Sequence, residues 1–374
     1  MTNKTNKKKI LIAPLNWGLG HATRCIPIIK ALEKEGFEPI IAGDGDSLKL
    51  LQKEFPKHKA YTLPAYNIQY TKNGRLLKYK LFINTPRLIK IVKKEQKEVA
   101  KIVEEEGLTG IISDNRFGVY SKKTPSVYLT HQINVLSGLS TFLTSKIHQK
   151  IITNFNECWV PDYEGEVNLA GKLSHPSPSK LALRYIGPIS RFKNVNSTFE
   201  ENDTGKKKYD ILVLLSGLEP QRSILEEKLL QELKNATKKV VFVRGLVSEK
   251  ESTSKRLVNS TNSTIEIKDY LLQNDLQKYM LQSDVIVCRS GYSTIMDLEK
   301  LSAKAFFIPT PGQFEQEYLA TYLESQNIAP FSSQKDFSLE KLNLVNTYQG
   351  FTNKKMVKEN QFPLTIFNFF YSSK

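Results

Sequence analysis

Short apolar runs alternate with amphipathic stretches along the first half of the chain. Lys9-Ile10-Leu11-Ile12-Ala13 reads as a buried strand. A helical pattern follows from Ala22 to about Glu35 and stops at Gly36, which supplies a C-terminal cap. Pro39-Ile40-Ile41-Ala42 reads as a second strand, and the turn Gly43-Asp44-Gly45-Asp46 leads into a helix over Ser47–Glu54. Further strands are predicted at Gly110–Ser113, Ser126–Leu129 and Glu157–Val160, with helical segments between them. Strands alternating with helices predict a mostly parallel sheet covered on both faces.

The pattern restarts near Tyr209. Asp210–Leu215 reads as a strand ending in Ser216-Gly217, and a helix follows from Gln221 to Lys234. Lys239–Val243, Asp284–Cys288 and Lys304–Pro309 are three more strands. Between the halves, Asn194–Lys208 is polar and aperiodic, as a linker or exposed loop is. With 374 residues the chain exceeds the span of one hydrophobic core, about 250–300 residues. The expected organisation is α/β: two doubly wound Rossmann-like domains, residues 1–189 and 190–358, facing across a cleft. The apolar end of the remaining segment, 359–374, is expected to pack back on the first domain.

Composition narrows the class. The chain is 40% hydrophobic and 25% charged, as in a folded globular protein. No apolar run approaches the ~20 residues that span a bilayer. The basic start has an apolar part too short for a signal peptide. Cys25, Cys158 and Cys288 are odd in number and far apart, which argues against a disulfide framework or a cysteine-based zinc site. A cytoplasmic protein is expected. Its net charge of +16 leaves nucleic acid, an anionic membrane surface and a phosphorylated ligand as partners.

Four segments carry candidate chemistry. Asn16-Trp17-Gly18-Leu19-Gly20-His21-Ala22-Thr23-Arg24 joins the first strand to the first helix. Gly18 and Gly20 let the backbone approach a ligand, and His21 sits where general base work is done; a capping or packing histidine is the alternative. Ser216-Gly217-Leu218-Glu219-Pro220-Gln221-Arg222 is an anion-receptive turn or an ordinary one, with Arg222 as a phosphate partner. Cys288-Arg289-Ser290-Gly291-Tyr292-Ser293-Thr294 opens a helix whose N–H and hydroxyl groups suit a diphosphate. Asp297, one turn deeper, is a ribose acceptor or a dipole-stabilising acid. In Pro309–Tyr318, Glu315 and Gln316 are placed to hold sugar hydroxyls, or form an acidic helix start. Asp114 and Arg116 follow a strand and are expected at the cleft, Asp114 orienting His21 or capping a turn; His131 is expected to line the same cleft. Asp44-Gly45-Asp46 fits a Gly turn with a helix cap better than a metal site.

Taken together, GxGH, the small-residue turn, RSG-x-S-x-x-x-D and P-x-P with Glu-Gln resemble the two-domain glycosyltransferases of GT-B fold, and most of all the MurG-like glycosyltransferase family 28. The resemblance implies a uridine diphosphate sugar as donor substrate, held mainly by the C-terminal domain, and an acceptor held by the N-terminal domain. It implies transfer with inversion and neither metal nor cofactor. Carried over, Asp297 binds the ribose, and Ser216, Gly217 and the Gly291–Thr294 turn hold the diphosphate with Arg289 and Ser290. Glu315 and Gln316 hold the sugar, and the backbone near Leu271-Leu272 meets the uracil. Arg191 stands near the phosphates at the domain junction, and His21 faces the acceptor with Gly18, Gly20, Arg116 and His131. The sequence departs from the peptidoglycan member at Asn16-Trp17, at the reduced loop Ser216–Glu219, and at Leu319, where an Asn is common.

Lys72–Lys101 holds ten basic residues and two acids, a net +8 that is half the total charge. Apolar residues interleave with these cations. An anionic bilayer surface fits this pattern, placing the protein peripherally at the inner face of the membrane that carries a lipid-linked or glycan acceptor; a solvated lysine face is the alternative. No nucleic-acid motif accompanies the charge. The other readings are a nucleotide-sugar epimerase or hydrolase of the same architecture, and a basic membrane- or nucleic-acid-binding protein on a degenerate GT-B fold.

Overall fold

The computed structural model describes residues 7–67, 85–176, 181–193, 207–217, 219–234, 236–246, 256–259, 264–351 and 364–372. The first sheet has seven parallel strands: β1 (Lys9–Pro14), β2 (Glu38–Gly43), β3 (Ala60–Thr62), β4 (Gly110–Asp114), β5 (Ser126–Leu129), β6 (Glu157–Val160) and β7 (Leu183–Tyr185). Their order is β3-β2-β1-β4-β5-β6-β7. Side chains alternate across it: Ile10, Ile12 and Ile112 join one apolar cluster, Leu11, Ala13 and Ile111 another. Helices α1 (Gly20–Lys34) and α2 (Gly45–Glu54) cover the first face, and α3 (Thr85–Glu106) the second through Val99 and Ile102. α4 (Thr141–Ile152) lies beside α3, because the register Ser113↔Tyr128 turns Tyr128 to the same face as Ile111, where it meets Ile152.

The second sheet contains β8 (Tyr209–Leu214), β9 (Lys239–Val243), β10 (Arg256–Asn259), β11 (Thr264–Lys268), β12 (Ser283–Cys288) and β13 (Ala305–Phe307). Its order is β10-β11-β9-β8-β12-β13, parallel except for the β10–β11 pair. Its helices are α5 (Gln221–Leu233), α6 (Gln273–Leu281), α7 (Tyr292–Lys300) and α8 (Phe314–Ser325). A last helix, α9 (Asn368–Ser372), returns to the first sheet. There Phe367 and Phe370 are buried against Phe37 and Trp159, with Phe370 and Trp159 ring centroids 5.9 Å apart.

The apolar runs read from sequence fall within one or two residues of these strands. Helix α1 begins earlier than its pattern, at Gly20, so His21 stands in its first turn. Of the basic segment, residues 72–84 lie outside the described residues, as do 194–206 of the linker.

Candidate active site

Each sheet reverses its strand order once, between β1 and β4 and between β8 and β12. Ligands of open parallel sheets bind outside the strand C-termini at such switch points. Both switch points here carry predicted motifs. His21 follows β1 and Asp114 ends β4; Ser216-Gly217 follows β8 and Arg289–Thr294 follows β12. The two sets face each other. Ser293 Oγ donates to the carbonyl of Gly20 at 2.8 Å, so the N-termini of α1 and α7 meet. Gly18 lies opposite Gly217: a Cβ on Gly18 would stand 3.8 Å from the Gly217 Cα, and both residues have positive φ, where glycine is favoured.

His21 Nδ1 is 2.8 Å from Asp114 Oδ1, and its side chain is 16% exposed toward the cleft. Arg24, one helical turn on, is buried and grips Asp114 with two nitrogens: Nε donates to Oδ2 at 2.6 Å and Nη2 donates to Oδ1. Burial would push the Asp114 carboxyl up, but Arg24 and then His21 outweigh it and hold it at about 2. Behind His21, the Arg24 guanidinium reaches His131 Nδ1 at 3.3 Å, and His131 Nε2 meets Glu315 Oε1 across the cleft at 2.7 Å. His131 also stacks on Tyr292, with centroids 4.1 Å apart. Burial lowers the His131 pKa against the pull of Glu315; Glu315 itself is lowered, its pair with His131 outweighing burial.

On the C-terminal side, Gly291 caps α7, and Gly291, Ser293 and Thr294 remain partly accessible at its start. Asp297 is buried; Ser190 Oγ donates to it at 2.6 Å and Arg191 Nε at 3.1 Å. Burial raises its pKa despite Arg191. Ser290 is fully buried and donates to the Gln316 carbonyl, while the Gln316 side chain accepts from the Thr310 N–H at 2.9 Å. Leu271 is nearly buried and Leu272 half exposed, just before α6. Ser216 and Gly217 are part-exposed.

Three predicted arginines are corrected. Arg116 was expected at the acceptor surface; it is fully buried behind β4, where it pairs with Glu95 at 2.6 Å and Asp44 at 2.5 Å and donates to the Pro64 carbonyl. Arg289 was expected to meet the donor; it is buried with its Nη atoms on the carbonyls of Ile308, Pro309 and Gln221 and on Gln334. Arg222 was expected to meet phosphate; it is buried between Glu219 and Glu226. Sequence reasoning also passed over Arg24, Ser190 and Tyr292. The three-residue spacing of His21 and Arg24 on one helix was the available signal for Arg24.

Comparisons with known proteins come to the same place. Residues 220–362 match the glycosyltransferase family 28 C-terminal domain. A relative from Histophilus somni, a UDP-N-acetylglucosamine–N-acetylmuramyl-(pentapeptide) pyrophosphoryl-undecaprenol N-acetylglucosamine transferase, is 26% identical and covers 90% of this chain and 88% of its own. An uncharacterized glycosyltransferase from Methanosarcina acetivorans is 22% identical, covering 92% of each chain. Among solved structures, the spinosyn rhamnosyltransferase SpnG has a TM-score of 0.62 at 12% identity, covering 94% of this chain and 95% of its own. MurG of Acinetobacter baumannii has a TM-score of 0.51 at 15% identity, covering 91% and 90%. The fold is GT-B, residues 220–362 match the C-terminal domain of glycosyltransferase family 28, and over most of its length the chain is similar to MurG-like hexosyltransferases.

Proposed function

We propose that this chain moves a hexose, N-acetylglucosamine by default, from a uridine diphosphate sugar to a lipid-linked or cell-envelope acceptor, with inversion and without a metal. The observation that carries this reading is the His21–Asp114 pair on one side of a cleft whose other side is the N-terminus of α7. The acceptor hydroxyl gives its proton to His21 Nε2, and its oxygen attacks the anomeric carbon. The bond from that carbon to the diphosphate oxygen breaks on the opposite face. Uridine diphosphate then leaves as an anion toward the converging positive helix ends of α1 and α7, which lower the cost of its charge. Metal independence is supported by Asp44, whose carboxylate is committed to Arg116 and Asn16. Among the described residues no group of His, Cys, Asp and Glu is arranged to hold an ion. Neither the epimerase nor the nucleic-acid reading gains support from the relatives.

The same reading places the protein at the inner face of the membrane that carries its acceptor. Among the described residues no helix is long and apolar enough to cross a bilayer. α3 exposes Arg87, Lys90, Lys93, Lys94, Lys97 and Lys101. On the same sheet face, α4 exposes Phe142, Leu143 and Ile147 beside Lys146 and Lys150. Apolar side chains flanked by cations suit an anionic lipid surface.

His21→Ala is expected to lower kcat by about 10²–10⁴ while calorimetric affinity for uridine diphosphate stays unchanged. Asp297→Ala is expected to weaken that affinity about tenfold or more. Near-normal turnover of the first variant refutes the base, and unchanged binding by the second refutes the ribose contact. Donor consumed to an epimer with no acceptor present refutes transfer.

A further inference from the structure

Asp297, read above as the ribose acceptor, is already engaged by the chain itself. It is 4% exposed. Ser190 Oγ donates to its Oδ1 at 2.6 Å, Arg191 Nε donates to its Oδ2 at 3.1 Å, and the Arg191 main-chain N–H is a further donor to the same carboxylate. A carboxylate offers about four acceptor positions. With three of them taken in a buried place, one is left. A ribose held through both its hydroxyls brings two donors, so it needs a position that the chain now occupies. Arg191 does not yield it. Its guanidinium is the counter-charge of a buried carboxylate, and separating such a pair costs far more than losing one neutral donor. Its carbonyl also accepts from Gln273 Nε2, and its guanidinium lies over the Phe192 ring, 5.1 Å from the centroid. Ser190 is the neutral donor, and its main chain is fixed on both sides. Ile189 before it is buried, with its N–H on Met296 Sδ at 3.2 Å. After it, Phe192 is buried, and the Gln277 side chain meets the Lys193 N–H at 3.4 Å and the Lys193 carbonyl at 2.9 Å. Ser190 Oγ accepts from the Phe192 N–H at 3.1 Å, which leaves its proton for Asp297.

We propose that Ser190 is a specificity-determining residue: by holding one acceptor position of Asp297 it limits the site to a single ribose hydroxyl, so the site takes ribonucleoside and 2′-deoxyribonucleoside diphosphates with similar affinity. A site rejects an analogue that lacks a hydroxyl when the loss leaves a buried polar group unpaired. Here Ser190 and Arg191 keep Asp297 paired whichever sugar is present. The 2′-deoxy sugar still brings its 3′-hydroxyl for the open position, and the missing 2′-hydroxyl leaves nothing behind it unsatisfied. Without the Ser190 hydroxyl the carboxylate would have room for both ribose hydroxyls, and the second one would count. This inference rests on the reading of Asp297 as the ribose acceptor.

The test is titration calorimetry of the full-length protein with uridine diphosphate and with 2′-deoxyuridine diphosphate. The wild type is expected to bind the two within about threefold of each other. Ser190→Ala is expected to bind uridine diphosphate about tenfold more tightly than the wild type does, since a hydrogen bond to a charged group is worth about that much or more. Its affinity for the 2′-deoxy nucleotide should stay within about threefold of wild type, so that a preference for ribose of about tenfold appears only in the variant. A wild type that already prefers uridine diphosphate by about tenfold or more overturns the proposal, as does a Ser190→Ala protein whose preference is no greater than the wild type's. The wild-type comparison needs no variant, so the proposal stays refutable if Ser190→Ala fails to fold. Asp297→Ala separates the two levels of the argument. If it binds uridine diphosphate as the wild type does, the ribose reading falls and the proposal with it. If its binding is weakened while Ser190→Ala gains no preference, the proposal alone falls.

Discussion

Asp114 shows how one residue links the stability of the site to its chemistry. Its folded pKa of about 2 lies below the ordinary value of 3.8, because Arg24 and His21 outweigh the burial that would raise it. A depressed carboxylate contributes stability above its unfolded pKa and loses it as pH falls through the folded value. The wild type is therefore expected to lose about 2 kcal/mol between about pH 4 and pH 2 on account of this group. Asp114→Asn should lack that portion of the acid limb. It should also be about 3–5 kcal/mol less stable at neutral pH, because it leaves Arg24 buried and unpaired. Urea denaturation of both proteins across this range is the check; superimposable acid limbs would refute it. The positions of His21, Asp114 and Asp297 were legible because each follows a strand end in sequence. The fates of Arg116 and Arg289 were not, because their partners, Glu95 and Asp44 for the one and backbone carbonyls with Gln334 for the other, are distant in sequence. Arg222 did have a local signal, Glu219 three residues before it and Glu226 four after, which together occupy its guanidinium.

At the scale of elements, the strands buried on both faces were legible as apolar runs, and with them the two parallel sheets and the loops that carry the site. The edge strands β3 and β7 were not. Each is three residues long and incompletely buried, so neither shows a run or a clear alternation. β10 and β11, four and five residues long after a polar stretch, were not read as strands either. The structure shows that the cations of α3 share a sheet face with the exposed apolar residues of α4. This makes a prediction that belongs to the helix as a unit. Replacing Lys90, Lys94, Lys97 and Lys101 together by Gln removes four charges at about 1 kcal/mol each near an anionic surface. Co-sedimentation with vesicles rich in anionic lipid should fall at least a hundredfold, with little change on zwitterionic vesicles, while transfer to a soluble acceptor analogue is retained. Binding that does not depend on these residues would mean that α3 presents only a solvated face.

For the whole molecule the question is whether the two sheets act as one body. Among the contacts that hold them together, Tyr163 Oη donates to Glu299 at 2.8 Å, Tyr292 Oη donates to the Pro161 carbonyl at 2.8 Å, the Lys172 N–H donates to Tyr318 Oη at 2.8 Å and the Ile189 N–H donates to Met296 Sδ at 3.2 Å. A single apolar cluster runs from Ile10 and Trp159 in the first domain to Ile295 and Leu323 in the second. α9 adds a second tie, since the chain leaves the C-terminal domain to bury Phe367 and Phe370 on the first sheet. A continuous core of this kind predicts one cooperative unfolding transition. Phe370→Ala removes a buried ring from the N-terminal domain and should cost about 3–5 kcal/mol. Uridine diphosphate, held on the proposed reading by the other domain, should return about 2.7 kcal/mol at a hundred times its Kd. If the domains unfold together, the nucleotide raises the one melting temperature that Phe370→Ala lowered, although the two events lie on opposite sides of the cleft. If calorimetry instead resolves two transitions, the mutation lowering one and the nucleotide raising only the other, the domains are independent. The contacts across the cleft would then be a docking that substrates must open rather than a shared core.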